Sequence, residues 1–300
     1  MITKLLNIMN NLVQNYEIIL KRLQANSLPA NFHLQKRKPL LSDLELIALA
    51  LTAEYMSISS ELQLFRAIKS TSLDGKIERS VFNKRRRYLK PFMEHIQRTV
   101  SESMSESNTY IVDSKPVEIC KISRAKRSDI CATEQIIPAF GWVSSTKRHY
   151  YGYKLHLVCD SEGIIHSFDL TPANVHDVKY LTDVKQNLSN CTLLGDRGYI
   201  SAQVQLDLFT TSNINLSVPM RENQHNYQPY SKAKRRLRKR IETLFSQLDS
   251  QFTMAVNYAK TIWGLYARIL TKITAVTIIQ NINIKELNKS INNLKVNINY

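Results

Sequence analysis

Three hundred residues carry 41 Lys and Arg against 25 Asp and Glu, a net charge of +16 on a chain that is 43% hydrophobic and 22% charged. That balance is too apolar for a disordered basic tail and too basic for an ordinary metabolic enzyme, while the length suffices for one large core or two smaller ones. The most apolar stretch, residues 262–279, is interrupted by Arg268 and Lys272, the N-terminus lacks the pattern of a secretory leader, and cysteines 120, 131, 159 and 191 form no CxxC pair. A cytoplasmic chain with reduced thiols and no membrane span is the expectation.

The first hundred residues read as helical. LLSDLELIALALTAEY opens on a capping box, Ser42 to Glu45, and a second box, Ser60 to Gln63, opens ELQLFRAIKS after the short break MSIS. Helix, tight turn and helix are the parts of a helix-turn-helix. A third helix is predicted over ERSVFNKRRRYLKPFMEHIQRTVSES, where Lys84, Arg85, Arg86, Arg87 and Lys90 stand beside Phe82, Tyr88 and Leu89. Such a helix can lie across a DNA groove, the alternative being a solvated face of a small bundle.

From Asn108 the apolar period changes from helical to alternating. TYIVDSKPV, GYKLHLVCD, GIIHSFDLTP, CTLLGDRGY and INLSVPM read as five strands, with helices predicted over residues 176–188 and 200–211. The first three can pair antiparallel, and the later two alternate with helices as in parallel units, which makes the middle a mixed α/β sheet. Two more helices follow, over 231–251 with Leu237, Ile241, Leu244 and Leu248 on one face, and over 260–282 with Trp263, Tyr266, Leu270 and Ile273 packed. The Asn-rich end is expected to fray.

Charge is uneven along these segments: residues 1–105 are net +7, 106–230 net −1 and 231–300 net +10, with seven cations among the ten residues SKAKRRLRKR. Two basic flanks around a near-neutral middle suit a chain whose flanks hold a polyanion. Three acids stand out. Asp113 interrupts an apolar strand, where an unpaired charge is costly. Asp196 ends a strand, at the edge where sites on α/β sheets collect. Glu242 is the only acid between Ser231 and Gln247. Each has a structural alternative: a turn, a cap or pairing with Arg197, and an ion pair with Arg238. Convergence of the three would suit Mg²⁺, which takes hard oxygen ligands, and two such ions ~3.5–4 Å apart clamp an in-line displacement at phosphorus. The adjacent cations would position a phosphodiester backbone.

At these residues the sequence resembles a known family. TYIVDSKPV, LLGDRGYIS and RLRKRIETLFSQL look like the three acidic motifs of DDE transposases of bacterial insertion sequences, and GYKLHLVCD and LTPANVHD resemble segments between the first two. The resemblance covers residues 108–255. It implies an RNase H-like sheet flanked by helices, and a catalytic, metal-binding triad of Asp113, Asp196 and Glu242, separated by 83 and 46 residues. It further implies two Mg²⁺ or Mn²⁺ ions per site, double-stranded DNA as partner (transposon ends and target), and a homo-oligomer on DNA in the bacterial cytoplasm. Water would attack at the transposon end to release a 3′-OH that then attacks target DNA. In the family's Tyr, Arg, Glu, Lys signature around the third acid, Arg238 and Glu242 keep their places, while Arg235 stands at the Tyr position and Asp249 at the Lys position.

The expected division is a helical DNA-binding region over 1–105, a catalytic domain over 106–255 and a C-terminal helix and tail over 256–300. The DNA contacts expected are Lys84, Arg85, Arg86, Arg87, Lys115, Lys154, Arg197, Lys234, Arg235, Arg238 and Lys239. His156 reads as a hydrogen-bonded strand residue, and Asn174, His176 and Asp177 as a connection supporting the site. The segment 120–138 is expected to move and close over DNA. The competing readings are an RNase H-like nuclease without joining activity and a non-catalytic DNA-binding regulator.

Overall fold

A computed structural model describes residues 2–26, 28–32, 37–132, 135–224 and 226–294, with side chains from residue 11 onward. In chain order the elements are α1 (Ile2–Gln24), α2 (Asp43–Tyr55), α3 (Glu61–Ala67), α4 (Arg79–Tyr88), α5 (Lys90–Glu102), β1 (Thr109–Glu118), β2 (Ala139–Val143), β3 (Arg148–Asp160) and β4 (Ile165–Pro172). There follow α6 (Leu181–Asn187), β5 (Cys191–Leu194), α7 (Ala202–Ser212), β6 (Ile214–Ser217), α8 (Lys232–Ser250) and α9 (Ile262–Lys285). They form two compact units. One comprises residues 1–103, 247–259 and 263–300; the other comprises 104–246 and 260–262. The C-terminal helix, expected as a separate part, thus belongs with the N-terminal helices.

In the helical unit the capping box of α2 is complete: Glu45 N–H donates to Ser42 Oγ at 3.2 Å and Ser42 N–H to Glu45 Oε2 at 2.7 Å. Ser60 is the N-cap of α3, but its side chain makes no cap bond, so the second box is not formed. The long helix expected over residues 78–103 is two helices that meet at Leu89. Pro91 accounts for the break: it has no N–H to extend the α4 ladder, and it falls in the first turn of α5, where no donor is needed. The core of this unit is α2, buried over almost its whole length, together with the apolar positions Leu270, Ile273, Val276, Ile279 and Ile282 of α9. An 18-residue window of α9 reaches a mean hydropathy of 1.4, long and apolar enough to cross a bilayer, yet 83% of it is buried inside the fold. The two cations that interrupt it are absorbed there. Lys272, 1% exposed, donates to Glu54 and to the Phe252 carbonyl, and Arg268 donates to the Ser59 carbonyl. Trp263, expected to pack, is 58% exposed, with Lys90 Nζ 4.9 Å from its ring centroid. The end of the Asn-rich tail, residues 295–300, lies outside the described residues.

The second unit is a mixed six-stranded sheet in the order β2-β3-β1-β5-β6, with β4 also paired to β3. β1 runs antiparallel to β3 and parallel to β5, and β5 is parallel to β6. The five expected strands are all present. β2, pairing Ala139–Val143 with Arg148–Gly152, was not expected. One face of the sheet, through Val112, Val158 and Leu193, packs on Tyr180, Leu181, Val184, Tyr199 and Leu208 of the α6 and α7 layer. Helix α8 is tied down at two places: Lys234 Nζ donates to Ser217 Oγ at 2.9 Å at the end of β6, and Arg240 Nε to the Glu162 carbonyl at 2.6 Å in the turn before β4. Gly163 makes the second tie possible, because at φ +96° it is in a region glycine favours, and a Cβ there would stand 2.5 Å from Arg240 Nε.

Candidate active site

Strand alternation assigns the side chains around Asp113. Directly paired residues share a face, so Ser114 and His156 point one way, with Val112 and Val158, while Asp113, Leu157 and Cys159 point the other. Asp113 therefore faces the side crossed by α8, and the Arg238 guanidinium acts on its carboxyl. The parallel pairing of β1 with β5 ends at Ile111 and Leu194. Asp113, in the middle of β1, and Asp196, just past the end of β5, each stand two residues beyond that last pair, where the two strands part.

Asp196 closes the turn that follows β5, its Oδ1 accepting from Gly198 N–H at 2.7 Å. The capping alternative foreseen for it is realised, though on a three-residue 3-10 turn rather than on a long helix. A third aspartate is close. A Cβ added at Gly198 would stand 3.0 Å from Asp196 Oδ1 and 3.1 Å from Asp177 Oδ2, so the two carboxylates flank one glycine. Asp177 is held by Lys154 Nζ at 2.9 Å and by the Ser114 hydroxyl at 3.1 Å. Lys154 also donates to the Val175 carbonyl at 2.9 Å, which fixes the connection carrying Asp177.

Burial first, and then Asp196 and Asp177, raise the Asp113 carboxyl to about 7, against the Ser114 N–H and Arg238, which pull it down. This is an acid short of positive charge. Tyr199 was missed: its fully buried ring lies near Asp177, Asp113 and Asp196, which together with burial push its phenol well up, and its hydroxyl has no hydrogen-bond partner among the described residues. The signal was present in the DRGY run, where an aromatic follows three residues behind the acid. His156, as expected, is a hydrogen-bonded strand residue: Nε2 meets Thr171 Oγ1 at 2.8 Å, the ring stacks on Tyr180, and burial lowers its pKa to about 4.

Asp113 and Asp196, neighbouring carboxylates of which one is short of countercharge, are hard oxygen donors of the kind a divalent cation takes. Glu242 does not stand with them. It is exposed on α8, one turn beyond Arg238, and among the described residues no group of three acidic, His or Cys side chains is close enough to hold an ion.

The expected DNA contacts differ in their partners and in their exposure. Arg85 pairs with Asp43 at 2.6 Å and Arg86, buried, with Glu61 at 2.9 Å; Lys154 and Lys234 hold Asp177 and Ser217. Lys84, Arg87, Arg197, Arg235 and Lys239 are exposed, and Lys115 and Arg238 are half-buried. The reason for the split in α4 is geometric: four consecutive residues advance about 100° each around a helix and cannot share one face. Of the segment expected to close over DNA, residues 122–127 form a 3-10 turn, and residues 133 and 134 lie outside the described residues.

Fold and site together define a mixed α/β domain with one aspartate on the inner strand β1 and a second just past β5, beside a cation-rich helix. Residues 104–278 match the transposase DDE domain family, more than half of the chain, and the chain belongs to that family. It is similar to the transposase for insertion sequence element IS1106 of Neisseria meningitidis serogroup B, with 35% identity over 63 residues, spanning 21% of this chain and 22% of that relative. Among solved structures, the Mos1 transposase paired-end complex with left transposon end aligns over 84% of this chain and 82% of its own, at 12% identity and a TM-score of 0.22.

Proposed function

We propose that the protein is the transposase of an insertion sequence, an enzyme that binds the terminal inverted repeats of its element, cuts DNA there and joins the freed 3′ ends to target DNA. The observation that carries the reading is that Asp113 on β1 and Asp196 after β5 stand where the two parallel strands part, close enough for Asp196 to act on the Asp113 carboxyl, in a chain of the DDE family. The strand order β4-β3-β1-β5-β6, with β1 antiparallel to β3 and parallel to β5, is in keeping with an RNase H-like sheet. Held by Asp113, Asp196 and Glu242, Mg²⁺ or Mn²⁺ would supply Lewis-acid stabilisation to the attacking and leaving oxygens of a phosphodiester.

The chain's own side chains do the rest. Asp196 is aimed by the Gly198 N–H, and Asp177 is held in place by Lys154 and Ser114. The exposed cations Arg235 and Lys239 on α8 position the DNA backbone. Glu242, exposed on the same helix, would be the third carboxylate to hold the metal. Because two ends are processed, the working form is a homo-oligomer.

Duplexes bearing the element's own ends, incubated with Mg²⁺, test the reading. Asp113→Asn, Asp196→Asn and Glu242→Gln are each expected to abolish strand cleavage and retain end binding. Cleavage that survives any one of them sinks the triad, and cleavage without joining of a pre-cut end favours the nuclease.

A further inference from the structure

We infer that the β2–β3 hairpin and the adjoining segment 120–131 form a surface for unpaired DNA, with bases stacking on Phe140 and Trp142 and phosphates held by Arg124, Arg127 and Lys260. The inference rests on the reading above only in taking DNA as the polymer.

Phe140 and Trp142 are 49% and 50% exposed, in a strand of five residues that turns both outward. Their rings are not scattered. Phe140 lies 5.0 Å from Tyr151 and Trp142 lies 4.6 Å from His149, centroid to centroid, so cross-strand pairs prop two large aromatic faces toward solvent. A folded chain normally buries such rings, and an exposed aromatic pair marks a contact surface.

The neighbourhood decides what it contacts. Tyr151 O accepts from Ile119 N–H at 3.2 Å, which brings the ladder against Cys120. Cys120 lines a groove of about 640 Å³ with Arg124, Arg127, Ser128, Asp129, Ile130 and Lys260. Three cations meet a single acid there, and none of the three is in an ion pair among the described residues. Cys131 N–H donates to the Lys260 carbonyl at 3.0 Å, which pins Lys260 to the groove. Lys147 adds an exposed charge at the hairpin tip, while Arg148 is paired with Glu118 at 2.6 Å. Aromatic faces beside a cationic groove are what single-stranded nucleic acid requires, because every base has a π face and every linkage a negative charge. A paired duplex keeps its base faces stacked on one another and offers nothing to Phe140 or Trp142.

The chain has two tryptophans, so Trp263→Phe leaves Trp142 as the sole reporter. In that variant a single-stranded oligonucleotide is expected to quench tryptophan emission, a blunt duplex of the same sequence to quench weakly, and an abasic strand of equal length to bind without quenching. Phe140→Ala with Trp142→Ala is expected to weaken single-strand affinity roughly tenfold, and Arg124→Ala with Arg127→Ala to weaken it while leaving the quench at saturation intact. Equal quenching by the abasic strand or the duplex overturns the inference. So does unchanged affinity of the aromatic double variant, or quenching that follows protein concentration without DNA, which would make the patch a contact between two copies of the chain. If the native element ends are cleaved but no strand quenches, this inference alone falls; if no DNA of any form binds, the transposase reading falls with it.

Discussion

Asp113 is the residue on which fold and function pull hardest against each other. Its carboxyl ionises at about 7 in the folded chain against 3.8 ordinarily, because burial and two neighbouring aspartates disfavour the charge. For an acid whose folded pKa is raised, the folded state binds more protons than the unfolded one between those values. Its contribution to stability is therefore complete below about pH 4 and is lost as the pH rises through 7. Asp113→Asn removes that penalty. In EDTA at pH 8 the variant is expected to melt a few degrees above wild type, on the order of what 1–2 kcal/mol gives a chain of this size, with the gap closing by pH 4. Adding Mg²⁺ is expected to raise the wild-type melting temperature and leave the variant's unchanged. Equal melting temperatures at pH 8 in EDTA would mean that the charge is compensated by some group other than a bound cation.

At the scale of elements, α4 shows how a basic run is apportioned. Its central arginines hold the helical unit together through Asp43 and Glu61, and its outer cations, Lys84 and Arg87, stay in water. Arg85→Ala removes the guanidinium that pairs with buried Asp43, a loss of about 3 kcal/mol, whereas Lys84→Ala with Arg87→Ala is expected to cost under about 0.5 kcal/mol yet weaken duplex binding several-fold. Urea denaturation and a duplex titration separate the two; a large stability loss from the Lys84 and Arg87 pair would refute the division. The run of cations was legible in the sequence, but which of them turn inward was not, since that depends on acids 25 and 42 residues away. Strands were legible wherever an apolar face alternates inward. β2 was not, because its outward positions, Phe140 and Trp142, are its most apolar ones, the reverse of the pattern that marks a half-buried strand. Asp113 and Asp196 could be singled out as charges on apolar strands, whereas the nearness of buried Tyr199 to them follows only from the fold.

For the whole molecule, the charge arithmetic changes once the chain is divided as it folds rather than as it is written. The helical unit, which recovers 247–259 and 263–300 from the C-terminal end, carries 21 cations against 11 acids, net +10. The sheet unit carries 20 against 14, net +6, because the basic half of α8 belongs to it and outweighs the near-neutral strands. Each unit thus has its own excess to offer a polyanion. Binding of Z phosphates lowers log K with log salt at a slope of about −0.9Z, so the two excesses can be counted separately. Removing the exposed pair Lys84 and Arg87 from the helical unit is expected to reduce the slope by about 1–2, and removing Arg235 and Lys239 from α8 by a similar amount. The fourfold variant is expected to show the sum. A slope that responds to the α8 pair alone would confine DNA to the sheet unit and leave the +10 of the helices as a property of solubility rather than of binding.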